Sequence, residues 1–428
     1  MIALRRQCLW EVAGSERPPG EPFVEDIHVD VCVIGAGITG LSTALHLSER
    51  KQRVCLLEAH EVGHGGSGRN VGLVNAGLWL PPDDIEAALG KDVGNRLNHA
   101  LGDAPALVFS LIERLDIACQ STRTGTLHIA PNRRGLLELT RRFDQLSRRG
   151  APVSLLTGPA CHEAIGSTLV LGALLDRRAG TIDPMAFTRG LARAAMNAGV
   201  RLYQNTAVKS LQREGTNWRV VAEGGSVTAA HVVIASNAYT EGDWTRLPRS
   251  FFAGYFYQVA SRPLPPEHAA RILPGGQGAW DTRLVLSSLR KDRDGRLIIG
   301  SLGNGQRKPT WFVRAWADRV QGHYFPYLDR VEWEYTWTGR MAFTSDHTPR
   351  LLEPAKGLLA VTGYNGRGIT TGTVIGKAFS DYLVTGDRNA LPIPLTPARD
   401  ADSRGLRGLA YEAGFSLYHA GQCLRVLV

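Results

Sequence analysis

The chain lacks any run of the roughly 18 apolar residues that a membrane-spanning helix needs. Its opening, MIALRRQCLWEVAGSERPPG, carries charges where the apolar centre of a secretory leader would lie. A soluble, cytoplasmic protein is the expectation. The six cysteines (Cys8, Cys32, Cys55, Cys119, Cys161, Cys423) include no C-x-x-C pair, which argues against zinc and dithiol motifs and for buried, reduced thiols. No H-E-x-x-H, G-x-S-x-G or P-loop pattern occurs. Metal-assisted hydrolysis, serine hydrolysis and nucleoside triphosphate chemistry therefore have no support, and no metal site is expected.

Charge is not concentrated either. The net +9 is spread over arginine pairs such as Arg133-Arg134, Arg141-Arg142 and Arg177-Arg178 rather than gathered in a stripe, which argues against a nucleic-acid partner. A basic surface of this kind is compatible with peripheral contact with an anionic inner membrane. The excess lies in glycine, 48 of 428 residues, about 11% where ~7% is usual.

The glycines have places. The apolar run 29–34 (VDVCVI) leads into Gly35-Ala36-Gly37-Ile38-Thr39-Gly40 and a helix-period segment, and 53–57 (RVCLL) is a second apolar run. This is a βαβ unit with a parallel sheet covered on both faces. In a G-x-G-x-x-G turn so placed, Gly35 permits the tight turn, Gly37 lets backbone N–H groups approach a pyrophosphate, and Gly40 lets helix and strand close up. The helix N-terminus faces the phosphates. Glu58, 18 residues after Gly40, ends the second strand, where a carboxylate accepts hydrogen bonds from ribose hydroxyls. FAD and NAD share this fingerprint. Five glycines in Gly63–Gly72 and a second glycine-rich turn, Gly363–Gly372, follow apolar strand-like runs.

Elsewhere the pattern predicts helices over 83–114 with a break at Pro105, over 135–149 and 309–321, and after Asp183-Pro184. Strands are expected near 123–130, 207–213, 217–222, 227–234 and 357–363, and a helix over 369–385. The fold class is α/β, α+β overall: a Rossmann-like dinucleotide domain (28–105, 181–250, 345–390) interleaved with a mixed β-sheet substrate domain (106–180, 251–344). Residues 1–27 read as an extension and 391–428 as a tail.

Taken together, the first turn with Glu58, the Ser67-Gly68-Arg69-Asn70-Val71-Gly72 loop and Gly363-Tyr364-Asn365-Gly366-Arg367-Gly368-Ile369-Thr370-Thr371-Gly372 resemble FAD-dependent amine and amino-acid oxidases of the D-amino-acid oxidase superfamily. The likeness runs from about residue 28 to 390. Within that superfamily, LLDRRAGTIDP, GYNGRGITTGTVIG and GFSLYHAGQCLRV are similar to bacterial L-pipecolate oxidases, and more distantly to γ-glutamylputrescine oxidases.

The resemblance implies noncovalent FAD and a small amino-acid substrate, with oxygen or a quinone as electron acceptor. The reaction it implies is hydride transfer from the C–N carbon, L-pipecolate going to 1-piperideine-6-carboxylate, with γ-glutamylputrescine as the alternative. It implies that Ser67, Arg69, Asn70 and Gly72 line the flavin, that Val208 touches adenine through its backbone, and that Gly366, Gly368, Thr370 and Thr371 set a helix N-terminus at the flavin pyrimidine. The family's usual A-T-G triplet is here Ala235-Ser236-Asn237, which puts close backbone approach at that point in question. The candidate catalytic residues are Arg340 and Arg367, whose planar forks match a carboxylate, and Tyr257, which with Tyr255 would form an aromatic wall. An NAD-dependent dehydrogenase and a non-enzymatic flavin-fold escort are the readings from other classes.

Overall fold

A computed structural model describes residues 4–14, 16, 20, 22–242, 244–329, 331–398 and 404–423, with the side chains of 404–406 and 423 outside that description. The first apolar run forms the strand Ile27–Ile34, and after the glycine turn the helix Ile38–Glu49 leads to the strand Val54–Leu57. The strands run parallel, Val31 beside Val54 and Ile34 beside Leu57. Val31 and Val33 bury against Leu41, Ala44 and Leu45 of the helix. Cys32 and Ile34 bury on the other face with Tyr203, Val220 and Val232. Two covered faces are why the run is apolar without alternation.

Among the described residues, nine strands make this first sheet. Gly225–Ile234 pairs in parallel with Ile27–Ile34 on one side and with Leu358–Thr362 on the other. The meander Val208–Glu214 and Asn217–Ala222 extends antiparallel from it. Eight strands form a second sheet, with Phe252–Pro263 between Trp333–Phe343 and Arg296–Leu302. Behind that sheet the helix Thr310–Tyr324 buries Trp316 and Tyr324 against Tyr257, Ile299 and Trp333.

Several expectations shift. The stretch 83–114 is three helices, Pro82–Leu89, Lys91–Gly102 and Ala104–Arg114. The breaks fall at Gly90, whose φ is +83°, and at Asp103, while Pro105 sits in the first turn of the third helix, where a missing N–H costs nothing. Val108 and Phe109 of that helix bury with the first sheet's core, so 106–114 pack with the nucleotide side. The described part of the N-terminal extension packs into the fold. Arg5 exchanges backbone hydrogen bonds with Glu334 and Thr336, and Cys8, Leu9 and Trp10 bury against Met185, Ala260 and Trp337. In the tail, Arg404–Cys423 is a helix against Phe252–Pro263. Cys8, Cys32, Cys55, Cys119 and Cys161 are buried and unpaired; the side chain of Cys423 lies outside the described residues. No described helix is long and apolar enough to cross a membrane.

Candidate cofactor and substrate site

The two glycine turns meet. A cavity of about 960 Å³ is lined by residues of both, by the 63–71 loop and by the second sheet. Gly35 adopts φ +105° and its N–H donates to the Leu57 carbonyl at 2.8 Å. A Cβ on Gly40 would run into the Gly35 carbonyl, so the helix lies too close to the turn for any side chain there. Gly35 and Gly37 line the cavity and Gly40 packs behind them. Glu58 accepts from the N–H groups of Ala36 (2.7 Å) and His60 (3.0 Å). Burial raises its pKa, and those backbone donors oppose the rise.

Ser67, Arg69 and Asn70 line the cavity; the side chains of Ser67 and Asn70 are committed to the protein, whereas Arg69 faces Glu11 at 3.6 Å and its Nε has no partner among the described residues. Ser67 Oγ accepts the Ile38 N–H at 3.0 Å, stitching the loop to the first helix. Asn70 donates to the Gly66 and Ser67 carbonyls and accepts from the Gly72 N–H. Gly72 itself lies outside the cavity. A Cβ there would meet the Ile182 carbonyl and Arg290, so its glycine serves packing and not contact with a cofactor.

At the second turn, Gly366, Gly368 and Thr370 line the cavity, whereas Thr371 is turned into the protein. The helix Gly368–Thr385 begins without a side-chain cap, and the N–H groups of Gly368, Ile369 and Thr370 make no hydrogen bond among the described residues. The glycine turn before it is tied to the first helix by Tyr364 Oη and Thr39 Oγ1, 2.6 Å apart. Val208 lines the far end beside Ala207. Asn237 takes φ +44°, the left-handed conformation in which glycine is most at ease. Its side chain accepts from Thr362 Oγ1 (2.9 Å) and the Gly363 N–H. The chain at 235–237 therefore lines the cavity despite lacking the glycine.

The catalytic candidates separate. Tyr257 does not line the cavity: it is fully buried, edge-on to Trp316 and His419 in the core of the second sheet. Its neighbours Tyr255, Phe256 and Gln258 on the same strand line the cavity instead. Arg340 lines the cavity but is engaged, donating to Glu241 at 2.6 Å and lying 4.8 Å from the Tyr239 ring centre. Arg367 is 7% exposed, and its Nε and Nη1 are buried without a partner among the described residues. Its guanidinium lies against the rings of Trp280 (4.6 Å) and Trp79 (5.7 Å). The acid that acts on it electrostatically, Asp176, is tied to Arg178. Burial, helped by Arg142, pulls the Arg367 pKa down to about 9, so it stays charged at neutral pH.

Sequence reasoning missed Trp79, Trp280, Gln258 and Tyr239, all on the cavity wall. They come from four distant segments without a shared motif. Only Trp79, in the apolar GLVNAGLWL run after the glycine loop, had a local signal. His64 also lines the cavity, and burial lowers its pKa to about 4, so it is neutral at pH 7.

A dinucleotide fits this lining. A glycine cradle, an acidic side chain ending the second strand, and three uncommitted N–H groups at a second helix N-terminus suit a pyrophosphate, a ribose and an electron-rich ring edge. Bound there, FAD supplies a two-electron acceptor for hydride.

Comparison with known proteins agrees. Residues 30–382 match the family described as FAD dependent oxidoreductase (DAO). The chain is 31% identical over 379 residues to gamma-glutamylputrescine oxidoreductase of Escherichia coli K12, covering 87% of this chain and 88% of that one. In fold it is similar to the crystal structure of glycine oxidase from Geobacillus kaustophilus (TM-score 0.69, 22% identity, 86% of this chain and 98% of that one). It is equally similar to L-proline dehydrogenase from P. horikoshii (TM-score 0.69, 20% identity, 86% and 95%). The NAD-dependent and escort readings fall away. The chain belongs to the DAO family of FAD-dependent oxidoreductases, enzymes acting on amines and amino acids.

Proposed function

We propose that the chain oxidises an amine that also bears a carboxylate, with γ-glutamylputrescine as first candidate and L-pipecolate as second. The observation that carries this reading is Arg367, a buried, charged guanidinium of a cavity-lining residue, with two nitrogens that have no partner among the described residues. Leaving such a group unpaired is costly, and a carboxylate matches its fork. Both candidates carry that carboxylate. The 31% identity to a gamma-glutamylputrescine oxidoreductase favours the open-chain amine. It displaces pipecolate, the substrate suggested by short sequence stretches, from first place.

The protein's work in this reading is positional. Trp79 and Trp280 hold the guanidinium plane, Arg367 orients the substrate, and the cationic wall favours the neutral amine needed for hydride loss. Oxygen or a quinone then takes the electrons. The test is anaerobic bleaching of the FAD-loaded protein by γ-glutamylputrescine, L-pipecolate, proline, sarcosine, glycine and putrescine. γ-Glutamylputrescine is expected to bleach it fastest, with putrescine, which lacks the carboxylate, at least ~100-fold slower, the usual loss of a buried charge pair. Equal bleaching by putrescine would overturn the role of Arg367, and bleaching by pipecolate alone would reverse the order of the candidates.

A further inference from the structure

The 66–72 loop is held from behind by donors that sequence reading assigned to other parts of the molecule. Its carbonyls are taken in succession. That of Gly68 faces the Cys8 thiol (3.9 Å to sulfur), that of Arg69 accepts from Trp337 Nε1 (2.8 Å), that of Asn70 from Trp10 Nε1 (3.0 Å), and that of Val71 from an Arg290 Nη1 (2.9 Å). None of these four donors lines the cavity, whereas Arg69, Asn70 and Val71 do.

A trans peptide is planar, with C=O and N–H on opposite sides, and no cis bond is present among the described residues. Pinning the Asn70 carbonyl to Trp10 therefore turns the Val71 N–H the other way. That N–H has no hydrogen-bond partner among the described residues. Its neighbours differ: the Asn70 N–H is spent on the Gly66 carbonyl (3.1 Å) and the Gly72 N–H on Asn70 Oδ1 (2.8 Å).

We infer that Trp10 is a positioning residue for the flavin, presenting the Val71 N–H to the cavity as a hydrogen-bond donor. The donor stabilises bound FAD, and its anionic reduced form more strongly. Trp10 is itself well fixed, 1% exposed, edge-on to Trp337 at 6.0 Å with the Arg290 guanidinium 5.0 Å from its ring centre.

Trp10→Phe keeps the packing and deletes the donor. In the FAD-loaded protein it is expected to weaken oxidised FAD about 10-fold and reduced FAD about 100-fold. The tenfold difference lowers the two-electron midpoint potential by about 30 mV. Trp337→Phe is the control: it deletes the same kind of bond, but the N–H behind it is already spent, so it lowers the melting temperature without moving the potential. Unchanged FAD affinity and potential in Trp10→Phe, or an equal shift in Trp337→Phe, overturns the inference. If the phenylalanine variant folds poorly, the benzothienyl analogue of tryptophan at position 10 retains the shape without the N–H, and the same outcomes decide.

Discussion

Arg367 and Arg340 looked alike in the sequence, two arginines in segments assigned to the site. Burial and partners part them, because Arg340 has Glu241 and Arg367 has no acid bonded to it among the described residues. Arg367→Met is therefore expected to lower kcat/KM for a carboxylate-bearing amine by at least ~100-fold, about 3 kcal/mol of lost recognition. The flavin absorption spectrum should stay as in wild type, and Arg340→Met should cost less than tenfold. Rapid-mixing reduction kinetics measure both, and equal losses would return the two arginines to the same footing. Tyr257 shows the limit of local reading. Alternation would set Tyr255 and Tyr257 on one face, yet Tyr255 lines the cavity while Tyr257 buries against the helix Thr310–Tyr324. Asn237 fails in the opposite direction, since asparagine tolerates the left-handed backbone and supplies bonds to the next strand.

Helices with local signals were legible. Asp183-Pro184 opens Pro184–Asn197, and the aspartate accepts from the Met185 and Ala186 N–H groups, both at 3.0 Å. The helix Arg404–Cys423 was not, because its reason for folding is tertiary: Phe415 and His419 bury against the second sheet. His419 Nε2 sits 3.0 Å from Ser301 Oγ, and burial pulls its pKa down to about 3. The folded state keeps this ring neutral, while the unfolded chain takes up a proton near pH ~6.5. Its contribution is therefore fully present above that pH and is lost as pH falls toward about 3, at ~1.4 kcal/mol per pH unit. Urea midpoints at pH 7, 6 and 5 should fall less steeply in His419→Gln than in wild type. Parallel slopes would show that this histidine does not govern the acid response.

The cavity draws on both sheets and on the N-terminal segment through the loop it braces, so cofactor binding and global stability are coupled. At FAD one hundred times its dissociation constant the folded state should gain ~2.7 kcal/mol. Calorimetry should show the melting temperature rising with the logarithm of FAD concentration, in a transition that includes both sheets. Two transitions, only one of them responding to FAD, would mean that the second sheet contributes nothing to the site. Patterns set by neighbours in the chain were readable directly: the βαβ unit, the glycine turn with Glu58, and the cap at Asp183 all arise within a few residues or one hydrophobic period. Those elements implied a nucleotide, and the family resemblance carried by the two further glycine loops implied a flavin. Contacts made across hundreds of residues were not readable. The setting of Arg367 between Trp79 and Trp280, the inward turn of Tyr257 and the bond from Trp10 to the 66–72 loop depend on which faces of distant elements meet. Apolar burial chooses those faces from the whole molecule at once, and no local spacing encodes the choice.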